Sequence, residues 1–348
     1  MRNRLAPIPT PRKNFLLRLL ILTLAVSTTG YAQPPASWHD PSKHKVQFVT
    51  VEDGVQLGVL DWGGTGRPVV LLAGLGFTAH VFDGFAEKLT DSYHVYGITR
   101  RGYGASSRPA SGYSEQRRAE DDLRVFDALG LAAPVVAGHS IAGNELSQLG
   151  IYHFDRIAGL VYLEALNDGT DDYTDYDALC TKLPEAMQKG PEPSPAELRS
   201  FPAYRDWRAR TDGISIPESE LRSEFTENAD GSVGSYEIPE NVPEGIMGGE
   251  HKHDYSQIRV PILAIVGYPE LPQDQIREHH LTDPAERTIV EAVFGTYVGM
   301  TKNRIKRIKS AARGAAVVEL WGASHFVFLS NEEDVLREMR LFVKGLHE

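Results

Sequence analysis

A short apolar run that stops at a serine constrains this chain more than any other stretch of its sequence. Residues 135–143 read VVAGHSIAG, so that small residues, Gly138 and Ala142, lie two positions before and after Ser140. A serine on a sharp strand-to-helix turn has strained dihedrals that leave room only for small neighbours. The run therefore predicts a buried strand, a turn that carries a nucleophile, and a helix whose first N–H groups, including that of Ile141, face developing negative charge. The alternative is a Gly-Ser turn with a purely structural role.

The rest of the chain alternates apolar strand patterns with helix patterns. A valine-rich pair, Lys45 to Val51 and Val55 to Asp61, is separated by Glu52-Asp53-Gly54 and predicts an antiparallel hairpin. Near-continuous apolar runs follow at 68–72, 94–98, 133–137, 157–163, 260–266 and 315–320. Such runs are typical of parallel strands buried on both faces. We therefore predict an α/β fold with a doubly wound, mostly parallel sheet, which binds ligands at the carboxyl ends of its strands.

The C-terminal part of the chain continues this pattern. Apolar spacing predicts one helix from Thr288 to Met300 and a second from Asn303 to Ala311. After the last strand, Ser330 and Glu333 have the spacing of a capping box, which predicts where the final helix begins.

Residues 167–258 interrupt the alternation. This stretch holds eight prolines and many aromatic residues, among them Tyr204 and Trp207. It is too long for a plain loop and too aromatic for a disordered segment. We predict a mostly helical cap at 167–258, inserted between two parts of one core at 33–166 and 259–348. Its aromatic residues would line an acyl or alcohol pocket or pack within the cap itself.

The first 32 residues have the composition of a signal peptide. Five basic residues and no acidic residue accompany an apolar run from Leu19 to Val26, and the small residues Gly30 and Ala32 follow. A run of this length is far below the roughly 20 residues that span a bilayer. We therefore expect cleavage after Ala32, export to the periplasm or the medium, and no permanent membrane anchor.

Charge and residue types exclude several classes of function. The formal net charge is −11, and removal of the basic leader makes the chain more acidic still, which disfavours binding to nucleic acid or anionic membrane. Cys180 is the single cysteine, so no intramolecular disulfide is expected. No phosphate-binding loop is found. The pairs His251/His253 and His279/His280 lack zinc-site spacing. We expect neither a metal nor an organic cofactor.

From about residue 45 to residue 346 the chain resembles the α/β-hydrolase fold family. The resemblance is most specific at GHSIAG around Ser140, at LAGLGF (72–77) and at GASHF (322–326). The segment TRRGYGAS, beginning at Thr99, is similar to the family's Asp-Arg-Gly-x-Gly-x-Ser segment, and we expect it to brace the nucleophile turn. With a serine at position 140, the chain resembles the esterases and lipases of this family, whereas its dehalogenases and epoxide hydrolases carry an aspartate at the corresponding position.

The resemblance implies roles for further residues. His325 corresponds to the general base on the loop after the last strand, and the N–H of Leu75 would complete an oxyanion hole with that of Ile141. Two carboxylates compete for the third triad position. We favour Glu164, which ends the strand that follows the nucleophile's strand in the chain. Glu270 is the alternative and lies where the family more commonly carries its acid. Asp274 is a third candidate.

Together these features predict a Ser-His-acid hydrolase that acts on a small or medium acyl ester. The same groups could serve C–C bond hydrolysis, acyl transfer or cofactor-free haloperoxidation, because fold and triad do not determine substrate. An alternative outside the enzymes is a non-catalytic protein that binds a small molecule in the cap pocket. The sequence does not indicate an oligomeric state.

Overall fold

The computed structural model describes residues 38–166, 171–184, 187–188, 191–268, 282–312 and 314–346. The predicted signal peptide lies outside these residues, as do the alternative acids Glu270 and Asp274. Ten strands occur in the described part: β1 Lys45–Glu52, β2 Val55–Gly63, β3 Pro68–Leu72, β4 His94–Thr99, β5 Val135–His139, β6 Gly159–Leu163, β7 Phe225–Glu227, β8 Val233–Tyr236, β9 Ile262–Tyr268 and β10 Ala316–Trp321.

Eight of these strands form one sheet in the order β1-β2-β4-β3-β5-β6-β9-β10. β1 pairs with β2 and β2 with β4 in antiparallel fashion, and the other neighbours are parallel. The predicted hairpin and the predicted doubly wound α/β sheet are therefore confirmed. Every residue of β5 and β6 is buried, which explains why these strands read as continuous apolar runs.

Helices cover both faces of the sheet. Their bounds are α1 Asp83–Glu87, α2 Glu115–Leu129, α3 Ala142–Tyr152, α4 Thr174–Cys180, α5 Pro195–Leu198, α6 Phe201–Asp212, α7 Glu218–Glu224, α8 Asn241–Gly248, α9 Pro284–Ala311, α10 Val327–Ser330 and α11 Glu332–Gly345. One apolar cluster lies on each face: Val69, Phe82 and Phe328 belong to the first, and Val70 and Phe126 to the second. The alternation of side chains along β3 thus sends neighbouring residues into different cores.

The predicted cap segment contains α4 to α8 and the two-stranded sheet β7-β8 in its described part. Phe201 and Tyr204 are buried in the same cluster as core residues such as Phe82, so α6 packs directly on the core. In α7, the buried Glu220 accepts hydrogen bonds from the backbone N–H of Thr78 at 2.8 Å and from its hydroxyl at 2.6 Å. The insertion is therefore joined to the core by both apolar and polar contacts.

Two details of the C-terminal part differ from prediction. Thr288–Met300 and Asn303–Ala311 belong to one 28-residue helix, α9, because neither glycine nor proline interrupts the chain between them. The capping box is wrong: Asn331 precedes α11, and the hydroxyl of Ser330 accepts the backbone N–H of Ser324 instead. Among the described helices, none combines the length and apolar character needed to cross a bilayer.

Candidate active site

The turn that is predicted to carry the nucleophile lies between β5 and α3. Ser140 follows β5 directly with φ of 55°, a left-handed conformation that non-glycine residues rarely adopt. Its backbone N–H donates to the carbonyl of Leu163 at 3.1 Å. A Cβ on Gly138 would lie 2.9 Å from the Cβ of Ala142, so the small residues on either side of the serine are required by packing. The turn thus has the strained geometry that the sequence predicts.

His325 meets Ser140 from the loop between β10 and α10. Its Nε2 lies 2.9 Å from Ser140 Oγ, and its Nδ1 lies 3.3 Å from a carboxylate oxygen of Glu164. With the proton on Nδ1, the imidazole donates to Glu164 and accepts from the serine hydroxyl. A quarter of the His325 side chain is exposed, against 7% of the Glu164 side chain. The three residues lie within one hydrogen-bonded chain that is open at the serine end and buried at the acid end.

Glu164 is held at the end of β6. It has φ of 51°, its N–H donates to Ile265 O at 2.9 Å, and its Oε1 accepts the N–H of Gly267 at 2.6 Å. The first bond joins the backbone of Glu164 to the adjacent strand β9, and the second holds the carboxylate there and leaves Oε2 directed at His325. The structure therefore brings the favoured acid to the histidine, while Glu270 lies outside the described residues.

The loop of residues 73–77, here termed the covering loop, lies against Ser140. A Cβ on Gly74 would lie 2.7 Å from His139 Nδ1 and 3.4 Å from Ser140 Cβ, so this backbone approaches too closely for a side chain. Leu75 and Ile141, whose N–H groups are the predicted oxyanion donors, pack in one apolar cluster with Tyr103 and Tyr236. The two loops that carry the candidate donors are thus fixed against each other.

Arg100 braces this arrangement, as predicted for the segment after β4. Its guanidinium donates to Gly74 O at 2.9 Å, to Ala73 O at 2.8 Å and to both carboxylate oxygens of Glu145 in α3. Burial raises the pKa of Glu145, but Arg100 and Arg118 outweigh it and hold that pKa below its usual value. The buried ion pairs join the covering loop to the helix that begins at the nucleophile turn.

His139 is a second histidine beside the triad, with a different environment. Its Nε2–H donates to the carbonyl of His325 at 3.0 Å, and its ring packs between Phe326 and Phe328. Burial, followed by the proximity of His325, lowers its pKa well below the usual value, so His139 remains neutral. The neutral ring supports the loop of His325 without placing a second positive charge beside it.

Residues of the insertion lie against the covering loop, because Leu75 packs on the apolar cluster that contains Ile238 and Val242. The hydroxyl of Tyr236 lies 3.6 Å from the position of a Cβ on Gly76. Tyr204 and Trp207 stack on each other with ring centroids 5.4 Å apart. A cavity of about 320 Å³ lies elsewhere, and its lining includes neither Ser140 nor His325: Trp38, Asp40, His80, Phe201, Ser219, Arg222, Ser223, Phe225 and Glu227. Tyr236 is one of the aromatic residues of the insertion that are predicted to line a pocket or pack within the cap, but nothing in the sequence distinguishes it from the others.

The histidine pairs that the sequence raised as metal candidates are partly described. His251 Nδ1 and His253 Nε2 each contact the carboxylate of Glu115, at 3.3 and 3.2 Å. Glu115 begins α2, so both histidines hold the chain after α8 to the core. His279 and His280 lie outside the described residues.

A family model described as "Alpha/beta hydrolase family" matches residues 69–338. Among solved structures, E-2-(acetamidomethylene)succinate hydrolase superposes with a TM-score of 0.60 at 17% identity, covering 87% of this chain and all of that one. The esterase RhEst1 of Rhodococcus sp. ECU1013 gives a TM-score of 0.55 at 17% identity, covering 87% and 99%. At these identities the likeness establishes the fold.

Curated relatives share shorter stretches of sequence. A Caulobacter segnis homologue named as a carbamate hydrolase is 39% identical over 112 residues, which are 31% of this chain and 42% of that protein. The bifunctional esterase/perhydrolase of Acinetobacter calcoaceticus is 30% identical over 123 residues, or 34% and 44%. The non-heme chloroperoxidase of Streptomyces lividans is 34% identical over 102 residues, or 29% and 37%. The chain thus matches less than half the length of these relatives.

Proposed function

This chain belongs to the alpha/beta hydrolase family, and we propose that it is a serine hydrolase that cleaves small or medium acyl esters through an acyl-enzyme on Ser140. The observation that carries the proposal is the 2.9 Å contact between Ser140 Oγ and His325 Nε2, with Glu164 behind the histidine at 3.3 Å. A serine hydroxyl is a weak nucleophile unless a base removes its proton, and this geometry supplies the base and its orienting acid.

The reaction follows from these positions. As Ser140 Oγ forms a bond to the ester carbonyl carbon, His325 Nε2 takes the hydroxyl proton and Glu164 stabilises the resulting imidazolium. The N–H groups of Leu75 and Ile141 hold the oxyanion of the tetrahedral intermediate. The alcohol leaves with the proton from His325, and water then attacks the acyl-enzyme with the same histidine as base. A carboxylic acid is released and Ser140 recovers its proton.

A fluorophosphonate probe tests the nucleophile directly. Wild-type protein is expected to be labelled at Ser140, and Ser140→Ala is expected to lose both labelling and ester hydrolysis while melting at an unchanged temperature, because only one hydroxyl is removed. Ser106→Ala is unsuitable as a control, since that hydroxyl is buried and bonds to Thr99 O at 2.6 Å. Ser223→Ala, on the insertion, is the matched control and should retain labelling. Activity of Ser140→Ala within tenfold of wild type would exclude Ser140 as nucleophile.

The acyl specificity is read from a series of p-nitrophenyl esters of increasing chain length. We expect kcat/KM to fall beyond medium chains, because the insertion packs directly on the core through Phe201 and Tyr204 and the Tyr236 hydroxyl lies 3.6 Å from the position of a Cβ on Gly76 in the covering loop. A monotonic rise with chain length would contradict a small-ester hydrolase. The absence of turnover on all esters, together with absence of probe labelling, would instead favour a binding protein.

Perhydrolysis is the second candidate, because the Acinetobacter calcoaceticus relative is named as a bifunctional esterase/perhydrolase. Hydrogen peroxide would replace water in attacking the acyl-enzyme, which releases a peracid and requires no cofactor. Addition of peroxide to the ester assay distinguishes the two, since a perhydrolase yields peracid that oxidises halide whereas a strict hydrolase yields carboxylic acid only.

A further inference from the structure

A compact group of two histidines and two aspartates lies apart from the triad. Asp40 and His44 precede β1. His80 lies in the turn before α1 and Asp83 is the first residue of α1, shortly after the covering loop. Each of the four side chains offers one ligand atom, and these four atoms all lie within 4.8 Å of one another. Among the described residues, this is the group of histidine and acidic side chains whose ligand atoms lie close enough together to hold a metal ion.

Asp83 forms the buried side of the group and is already oriented by neighbours. Its Oδ1 accepts the indole N–H of Trp62 at 3.1 Å, and its Oδ2 accepts the hydroxyl of Ser219 in α7 at 2.5 Å. Carboxylates that bind metals are commonly held by such second contacts. The bonds leave the carboxylate facing His44 Nδ1 at 3.0 Å and His80 Nδ1 at 3.0 Å.

Asp40 forms the opposite side. Its Oδ1 accepts the backbone N–H of Ser42 at 2.9 Å, which fixes the carboxylate. Its Oδ2 lies 3.6 Å from His44 Nε2 and 3.7 Å from His80 Nδ1. Both distances exceed a hydrogen bond. The 3.7 Å between Asp40 Oδ2 and His80 Nδ1 is close to the roughly 3.4 Å that separates two ligands on one tetrahedral zinc ion with bonds of about 2.0 to 2.1 Å. His44 offers its other ring nitrogen, Nδ1, to the ion, and its Nε2 remains on the side of Asp40.

The buried Nδ1 of His44 is directed into the group and contacts Asp83 without good hydrogen-bond geometry. The His44 side chain is only 4% exposed, and its Nδ1 lies 3.0 Å from Asp83 Oδ1. Buried polar atoms without a partner are rare and costly in proteins. An ion between the imidazole and the carboxylates would satisfy this nitrogen.

We propose that Asp40, His44, His80 and Asp83 bind one structural divalent zinc ion. Two imidazoles and two carboxylates form a borderline donor set with a formal charge of −2, which a dication neutralises and which zinc accepts in tetrahedral geometry. The ion connects the segment before β1 to the turn before α1, and Ser219 extends the connection to α7 of the insertion. It thereby stabilises the chain that follows the covering loop.

The site has an entry path. Asp40 and His80 both line the cavity of about 320 Å³ described above. Arg222 also lines this cavity, but its guanidinium is paired with Glu218 at 2.9 Å and with Glu227 at 3.0 Å. The positive charge is therefore compensated, and a cation can reach the two outer ligands from solvent.

The test measures zinc binding by the purified protein. Protein stripped with a chelator and dialysed is titrated with ZnCl₂ by calorimetry, and its metal content is measured by mass spectrometry. We expect one zinc ion per chain, submicromolar affinity and a melting temperature several degrees higher with zinc. Asp40→Asn and His80→Gln should each weaken binding at least 100-fold. Asp40→Asn is the preferred variant, because the Asp40 side chain is partly exposed and the change leaves the bonds of the buried Asp83 to Trp62 and Ser219 intact.

Two matched histidine variants control for zinc bound elsewhere. His94→Gln removes an imidazole that is paired with Asp61 at 2.8 Å, and His251→Gln removes one of the two histidines at Glu115. Neither should change stoichiometry, affinity or the zinc-dependent rise in melting temperature. The proposal is overturned if wild type takes up no stoichiometric zinc, if Asp40→Asn binds zinc as wild type does, or if binding is lost in either control instead.

Discussion

Replacement of Glu164 by glutamine is the sharpest test of the site, because the structure determines how the amide must sit. Glu164 Oε1 accepts the backbone N–H of Gly267 at 2.6 Å, and a backbone N–H can only donate. In Glu164→Gln the amide oxygen must therefore keep that bond, which directs the NH₂ group at His325 Nδ1. Nδ1 then has to accept, so the ring proton moves to Nε2, the nitrogen that faces Ser140 Oγ at 2.9 Å.

A histidine in that tautomer cannot take the serine proton. Loss of correct orientation of the base costs between about 10² and 10⁴ in kcat for a Ser-His-acid hydrolase. At about 1.4 kcal/mol for each factor of ten, the transition state loses about 3 to 5 kcal/mol of stabilisation. The fold should persist, since the side-chain volume and the bond to Gly267 are retained.

The assay is kcat on p-nitrophenyl acetate, with folding checked by melting temperature. Glu270→Gln is the matched variant, because it makes the same change at the competing carboxylate. We expect Glu164→Gln to be crippled and Glu270→Gln to be near normal. If Glu164→Gln retained activity within tenfold of wild type while Glu270→Gln lost it, the assignment of Glu164 would be refuted.

Three further predictions concern the surroundings of the site. Gly74→Ala should lower kcat/KM at least tenfold, because its methyl group would lie 2.7 Å from His139 Nδ1; wild-type activity would contradict the close approach. Burial raises the pKa of Glu224 to about 7 and holds the pKa of its neighbour Glu220 well above its usual value, so the folded protein binds more protons than the unfolded chain between about pH 5 and 7 and its melting temperature should fall as pH rises through that range. Glu224→Gln should reduce this slope, and an unchanged slope would exclude Glu224 as its source. Trp207→Ala should change the ratio of kcat/KM between short and long esters more than it changes stability, whereas an equal loss on every ester, tracking a lower melting temperature, would make Trp207 part of the cap's packing.

Local sequence determined most of the fold and the nucleophile turn. Strands buried on both faces require continuous apolar residues, and the turn at Ser140 requires small neighbours. Both requirements can therefore be recognised from a few consecutive residues of the sequence. The same reasoning failed where a local pattern had a competing use. Ser330 and Glu333 have capping-box spacing, but the serine hydroxyl accepts the N–H of Ser324, six residues away, and the helix begins after it without that cap.

The tertiary structure decided what depends on residues far apart in the chain. Glu164 and His325 are separated by 161 positions, and their contact follows from the order of β6, β9 and β10 in the sheet, which no local pattern encodes. The zinc ligands illustrate the same limit, because Asp40/His44 and His80/Asp83 are each short His/Asp pairs of a kind that surfaces commonly carry. A metal site needs ligand atoms within a few ångströms of one another. Spacing along the chain determines this distance only for residues within one turn of each other. The four donors converge because the segment before β1 packs against the start of α1.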